Sequence, residues 1–352
     1  MPSPLPQIAS TAWEHPADRA ALNTLRALPG FDEVVRRVAG AFGERGIRNL
    51  FLANAVRVGP TQRPKLWGRY EEVLATLDWP GAPGGRVPQL YVTQTPFLNA
   101  GAVGFDDPFI VLHTATLELL DPDEARFLLA HELGHVMSGH VTYRTIAVLL
   151  LTLGLGNLPF LAGAALLPFQ LALLEWYRKA ELSSDRAGLL GVQEPRVAYM
   201  TFLKMAGGTR PGSADDDALD LDAFLAQAAE YDAGGTGWDT VLKALNTALR
   251  DHPFHTVRVA ELQRWVDGGD YARILAGEYA RRGAGPARPL DQDYAEAASY
   301  YGEQVRQATS SIRDSLRRAG SAFDEAFRAR GGAPRGADGP GNGSAGGGAP
   351  GV

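Results

Sequence analysis

The stretch "DPDEARFLLAHELGHVMSGH" (121–140) constrains this chain more than any other. Asp121 is placed to cap a helix, Pro122 suits its first position, and Glu124 sits where a capping-box acid belongs. Residues 122–144 then continue with glycine only at 134 and 139, so one helix is expected over the whole run. Residues four apart share a helical face, and His131 and His135 can therefore converge on one ion. Glu132 projects about 100° away, beside the ion, where a general base for a zinc-bound water belongs. The apolar residues in "FLLA" and "LGHVM" bury this face and oppose the alternative of a solvated helix with incidental histidines.

Catalytic zinc keeps three protein ligands and one open position. The metzincin arrangement, with a third histidine six residues after His135, is excluded because that position is Val141 and the accompanying glycine is Ser138. In a continuous helix His140 points to a different side. The chain has no cysteine, which removes thiolate ligands, disulfides and cysteine nucleophiles together. A carboxylate from another helix remains. "KAELSSDRAGLL" (179–190) offers Glu181 as a ligand, with Asp185 one turn away to accept a ligand histidine N–H. An ordinary surface helix, with Glu181 paired to Lys or Arg, is the competing reading. The turn-like "GLGNLP" (154–159) lies 22 residues from His135 at Asn157, and Glu181 lies 24 beyond, so a helical hairpin brings both to one level.

Taken in order, "HELGH" (131–135), "ELSSD" (181–185) and "HPFHTVR" (252–258) resemble the M48 family of zinc metallopeptidases, gluzincins that include HtpX-type and prenyl-protein proteases. "LNAGAVGF" (98–105) is similar to the family's Asn-Ala segment, and the resemblance covers roughly residues 60–265. It implies one zinc ion per chain held by His131, His135 and Glu181, with Glu132 as base and Asp185 supporting a ligand. His252 would face the transition state and Arg258 would steady that region. From the residues alone a His-Pro pair is often only a turn, and His255 competes for the place opposite the metal. His15 and His113 are read as non-catalytic.

The expected fold is a predominantly helical α+β, zincin-like domain with a few short strands and a long active-site helical hairpin. Residues 1–12 read as a loose lead and 13–58 as helices and a strand, the strand being "RNLFLANAVRV" (48–58). The metallopeptidase domain spans 59–282, with a helix over 69–79 and three strand-like runs at hairpin spacing, "QLYVTQT", "NAGAVGF" and "PFIVLHTAT". Further helices are expected over 175–191, 195–206, 218–231, 238–250 and 257–282. A charged amphipathic helix over 291–330 precedes a Gly-rich tail, 331–352, too poor in apolar residues to order itself.

The expected function is zinc-dependent endopeptidase action on peptides or proteins, and an edge strand with Asn99, Ala100 and Gly101 would take the substrate in extended form. Protein quality control at a membrane is one setting that the resemblance implies. The rival is a zinc-stabilised but idle scaffold or chaperone-like homologue, which the intact Glu132 opposes because a structural site needs no base. A net charge of −6 without a Lys/Arg cluster excludes a nucleic-acid groove. The start "MPSPLPQIAS" lacks a secretory signal, which favours the cytoplasm. Residues 145–174 carry no charge, but prolines 159 and 168 cut them into pieces too short for a ~30 Å hydrocarbon core. Their flanks, Tyr143-Arg144 and Trp176-Tyr177-Arg178-Lys179, read as an aromatic and basic collar for a hairpin dipping into a membrane surface from the cytoplasmic side. A buried hairpin tip or a subunit interface is the other reading, and the oligomeric state stays open.

Overall fold

A computed structural model describes residues 2–27, 30–80, 86–153, 167–208, 219–233 and 254–283. The expected turn at 154–159, the helix at 238–250, His252, the 291–330 helix and the Gly-rich tail lie outside these residues.

The fold is the predominantly helical α+β arrangement expected, with one four-stranded sheet. Two helices, α1 (Pro16–Arg26) and α2 (Phe31–Leu52), precede β1 (Ala55–Arg57) and α3 (Pro64–Thr76). Strands β2 (Gln89–Thr93), β3 (Ala100–Val103) and β4 (Phe109–His113) follow, and the short α4 (Thr114–Leu119) leads into α5 (Pro122–Met137). Helices α6 (Val141–Leu153), α7 (Leu167–Val192), α8 (Pro195–Gly207), α9 (Leu221–Ala233), α10 (His255–Asp267) and α11 (Asp270–Leu275) complete the described chain. The strand order is β1-β2-β4-β3. β3 and β4 form a hairpin, whereas β2 runs parallel to β4, so the three runs are not successive hairpins.

Burial on both faces makes β4 the central strand: Ile110 and Leu112 enter one core and Phe109 and Val111 the other. The first core adds α3, α5, the C-terminal half of α7, α8 and α10. The second adds α2, α6 and the N-terminal half of α7. Residues 48–52 belong to α2, whose second half follows a kink at Gly43 (φ 57°) and is anchored by the buried Ile47, and they leave a strand of only three residues. The expected 257–282 helix breaks at Gly268 and Gly269, the latter left-handed at φ 83°. The lead is not loose, since Leu5, Ile8 and Trp13 are buried. Ala9 N–H donates to the Ala280 carbonyl and Arg282 N–H to that of Gln7, which fastens the two ends of the domain together.

The apolar run enters the core as far as it is described. Ile146, Ala147, Leu149 and Leu150 pack in the second cluster with Phe31, Val34 and Val38. Of the expected collar, Arg144, Trp176 and Tyr177 are buried, whereas Tyr143, Arg178 and Lys179 are partly exposed. Among the described residues no helix is long and apolar enough to cross a membrane.

The pairing of α5 with α7 positions everything that follows, and it depends on small residues. A Cβ added to Gly134 would sit 2.5 Å from the Ala187 Cβ, and one added to Gly191 would sit 2.2 Å from the Ala130 Cβ. At Gly188 an added Cβ would meet the Phe127 ring at 2.8 Å. We therefore expect Gly191→Ala to force the helices apart and cost about 1–3 kcal/mol, the usual range for an overpacked core. Thermal unfolding measures this. The double variant Gly191→Ala/Ala130→Gly, which moves the methyl group to the other helix, should be more stable than Gly191→Ala alone. Equal or lower stability would show that the glycine contact does not set the helix separation.

Candidate metal centre

Helix α5 begins as its sequence demands. The Asp121 side chain accepts from the N–H groups of Asp123 and Glu124, and Glu124 Oε2 accepts from Asp121 N–H at 2.8 Å. Lys204 of α8 donates to the same Glu124 oxygen at 2.6 Å and anchors that end of the helix. One turn short of its C-terminus α5 presents His131 and His135 to α7, which presents Glu181 and Asp185. Glycine at the interface is what lets side chains of these lengths meet.

Ligand atoms of His131, His135 and Glu181 all lie within 4.8 Å of one another, and all three residues are buried. His131 Nε2 is 3.4 Å from Glu181 Oε2, and His135 Nε2 is 3.2 Å from Glu181 Oε1. On its other side His131 Nδ1 lies 3.0 Å from Asp185 Oδ1. Arg258 of α10 grips Asp185 with two hydrogen bonds of 2.9 and 2.5 Å, and its Nη2 stands 3.4 Å from Glu181. Arg258 is thus the support for Asp185 as well as a wall of the cleft.

Glu132 faces another way. Its Oε2 accepts from the Ala102 N–H of β3 at 2.8 Å and from Arg144 Nη1 at 2.7 Å. Arg144 also donates from Nε to the Tyr177 hydroxyl at 2.7 Å, with Nη2 3.8 Å from Glu181. Nothing in the sequence marks this arginine as part of the site. Its place beside an uncharged run reads as a flank, and only the fold shows that it turns inward.

His140 was also hidden. The expected helix over 122–144 ends at Met137, and Gly139 adopts a left-handed conformation at φ 69° before α6 begins. That turn carries His140 back over the end of α5, and its Nδ1 lies 3.2 Å from His135 Nδ1. A helix that ran on would have pointed it elsewhere. The glycine is the signal that could have revealed it.

Burial disfavours charge on His131, but hydrogen bonds with Asp185 and Glu181 outweigh it and push its pKa up to about 9. Burial and the Arg144 charge hold His135 well below its usual range. Asp185 is lowered against the effect of burial by Arg258 and His131. The carboxylates of Glu132, Glu181 and Asp185 face the guanidiniums of Arg144 and Arg258, and the proton held on His131 supplies the further positive charge of the metal-free cluster. His135 Nε2 is buried, with Glu181 Oε1 at 3.2 Å as its neighbour in the cluster. Convergent imidazole and carboxylate donors, with a proton on His131 that a cation would displace, fit a divalent cation, and the nitrogen and oxygen donor set suits zinc.

Beside these residues lies a cleft of about 280 Å³ lined by Leu98, Asn99, Ala100, Phe127, Leu128, Phe202, Met205 and His255 as well as His131, Glu132, Glu181 and Arg258. Strand β3 forms its edge. Ala102 N–H points to Glu132, and Asn99 O accepts from His113 N–H, so backbone groups of Ala100 and Ala102 face the cleft while Gly101 faces β4. Of the expected substrate-strand residues, Asn99 and Ala100 line the cleft and Gly101 does not. His15 and His113 lie outside it.

The comparisons with known proteins agree with this geometry. A family model described as "Peptidase family M48" matches residues 60–266. The plastoglobule-localized metallopeptidase 48 of Arabidopsis thaliana is 35% identical over 268 residues, covering 75% of this chain and 74% of that protein. A protease HtpX homolog of Tropheryma whipplei is 26% identical over 192 residues, covering 46% of this chain and 63% of that protein. A second HtpX homolog, from Pseudarthrobacter chlorophenolicus, is 26% identical over 231 residues, covering 60% of this chain and 75% of that protein. No solved structure matches the chain. With the match spanning α3 to α10, the chain belongs to peptidase family M48 and is a metallopeptidase.

Proposed function

We propose that this protein is a zinc-dependent endopeptidase that hydrolyses peptide bonds with Glu132 as general base. The observation that carries the reading is the convergence of His131, His135 and Glu181 next to a carboxylate that is not a ligand and lines the same cleft. A bound zinc ion would supply Lewis acidity toward the scissile carbonyl and make an adjacent water more acidic. Glu132 is fixed through Oε2 by Ala102 and Arg144, which leaves Oε1 to take a proton from the attacking water and return it to the leaving amine. Asp185 holds the Nδ1 proton of His131 and so fixes the tautomer in which Nε2 is a ligand atom. An extended substrate would align along β3, and the apolar walls of Phe127, Leu128, Phe202 and Met205 favour an apolar side chain next to the scissile bond.

The idle-scaffold alternative gains nothing from this geometry, because a structural site has no use for a fixed base beside an open cleft. Leaflet contact by the apolar run 145–174, and with it quality control at a membrane, gains no support from its described residues, which pack in the core.

Three experiments test the reading. Purified protein should carry about one zinc per chain, and Glu181→Ala should lose most of it under dialysis while chelation abolishes peptide hydrolysis. Full zinc retention by folded Glu181→Ala would place the third ligand elsewhere. Glu132→Gln should keep its zinc but lose at least ~10²-fold in turnover of a peptide library, and near-normal turnover would remove the base from the mechanism. For the oxyanion, His252→Phe should lower kcat by roughly 10²–10³ with little change in KM. Should His255→Phe have that effect instead, the histidine lining the cleft takes the role.

A further inference from the structure

The N-terminal helix α1 lies outside residues 60–266, yet it reaches the metal centre. Its Asp18 is buried, and its carboxylate meets three side chains, two from α7 and one from the turn before α6. Oδ1 accepts from Trp176 Nε1 at 2.9 Å. Oδ2 accepts from Ser183 Oγ at 2.6 Å and lies 3.0 Å from His140 Nε2. Ser183 belongs to the "ELSSD" segment and itself accepts the His15 N–H at 2.8 Å. His15 caps α1 by accepting the Ala17 N–H on Nδ1, so the start of the helix is fastened to α7 at the level of the site.

With neutral imidazoles at His135 and His140, these contacts permit one arrangement of protons. Asp18 is a carboxylate, held so against burial chiefly by His140 and Ser183. His140 must then carry its proton on Nε2 to donate to Asp18, which leaves its Nδ1 as an acceptor. His135 Nδ1, 3.2 Å away, donates to it. His135 Nε2 is thereby left with a lone pair, aimed at the cluster it shares with His131 and Glu181. Each of the two histidines of the site thus ends on a buried carboxylate: His131 directly on Asp185, His135 through His140 on Asp18.

The geometry points to Asp18 and His140 as positioning residues that fix the tautomer and ring orientation of His135, so that the N-terminal helix tunes metal affinity. The inference rests on the reading of His135 as a metal ligand. Support of this kind typically sets metal affinity by 10–100-fold. A role confined to packing predicts something different, namely altered stability of the metal-free protein with its affinity intact.

The test is a competition titration of the full-length, metal-stripped protein with zinc against a chromophoric chelator, alongside thermal unfolding of the metal-free form. Asp18→Asn keeps the shape but can turn an N–H toward His140, reversing its tautomer and setting two N–H groups against each other at His135. It should lose zinc affinity by 10–100-fold with little change in metal-free stability. His140→Phe should lose as much, and His140→Asn, whose Oδ1 can stand where Nδ1 was, should recover part of it. Wild-type affinity in folded Asp18→Asn and His140→Phe would overturn the inference, as would an affinity loss only in proportion to lost metal-free stability. His135→Ala serves as the control for the underlying reading. If it keeps tight zinc, His135 is not a ligand and the proposed function itself fails. If it loses zinc while the Asp18 and His140 variants do not, only the relay is wrong.

Discussion

Charge buried between α5 and α7 is the constraint on which the rest of this structure depends. Glu132, Glu181 and Asp185 are all removed from water, as are Arg144 and Arg258. Removing one partner from such a set typically costs about 3–5 kcal/mol, because the charge left behind is buried without compensation. The helices must therefore hold these groups at hydrogen-bonding distance or not bury them at all. Gly134, Gly188 and Gly191 supply the necessary separation, since at each a methyl group would already collide with the opposite helix. Packing and electrostatics are in this sense one requirement: the glycines have no chemical role, yet the site cannot assemble without them.

What was legible in the sequence was what helical periodicity controls. The spacing of His131 with His135 and of Glu181 with Asp185 placed each pair on a face, and the capping box at Asp121 and Glu124 located the start of α5. What was not legible depended on where the chain turns. A helix extended past Gly139 points His140 away from the site, and its contact with His135 exists only because that glycine ends the helix. Arg144, Trp176 and Tyr177 show a second limit. An aromatic and basic cluster beside an apolar run has the same composition whether it faces lipid headgroups or a buried carboxylate, and here Arg144 meets Glu132 and Trp176 meets Asp18. Composition does not encode direction.

The first 26 residues make the same point about long-range contacts. Read locally, Leu5 and Ile8 are isolated among prolines and polar residues, too sparse to suggest a packed segment. They are buried because the other end of the domain, 276–283, runs alongside and offers backbone partners. No window-based reading couples residues 270 positions apart. The consequence extends to the chemistry, because the same N-terminal region contributes Asp18 beneath the zinc-ligand candidates.

One hydrogen bond connects substrate recognition to the proposed reaction. Ala102 sits on the edge strand, and its N–H is one of the outward-facing groups an extended peptide would otherwise use. That group is given to Glu132. A peptide aligned on β3 would thus be placed relative to the same backbone that fixes the base, so the distance between scissile bond and carboxylate would be set by strand geometry and not by a flexible side chain. Arg144 completes the restraint from the opposite side, with Tyr177 holding the guanidinium in turn. A base fixed from two directions has little freedom to reorganise as the proton moves, which is the condition under which positioned carboxylates are most effective. On the proposed reading the edge strand would do two things at once, and displacing it by even about 1 Å would disturb binding and proton transfer together.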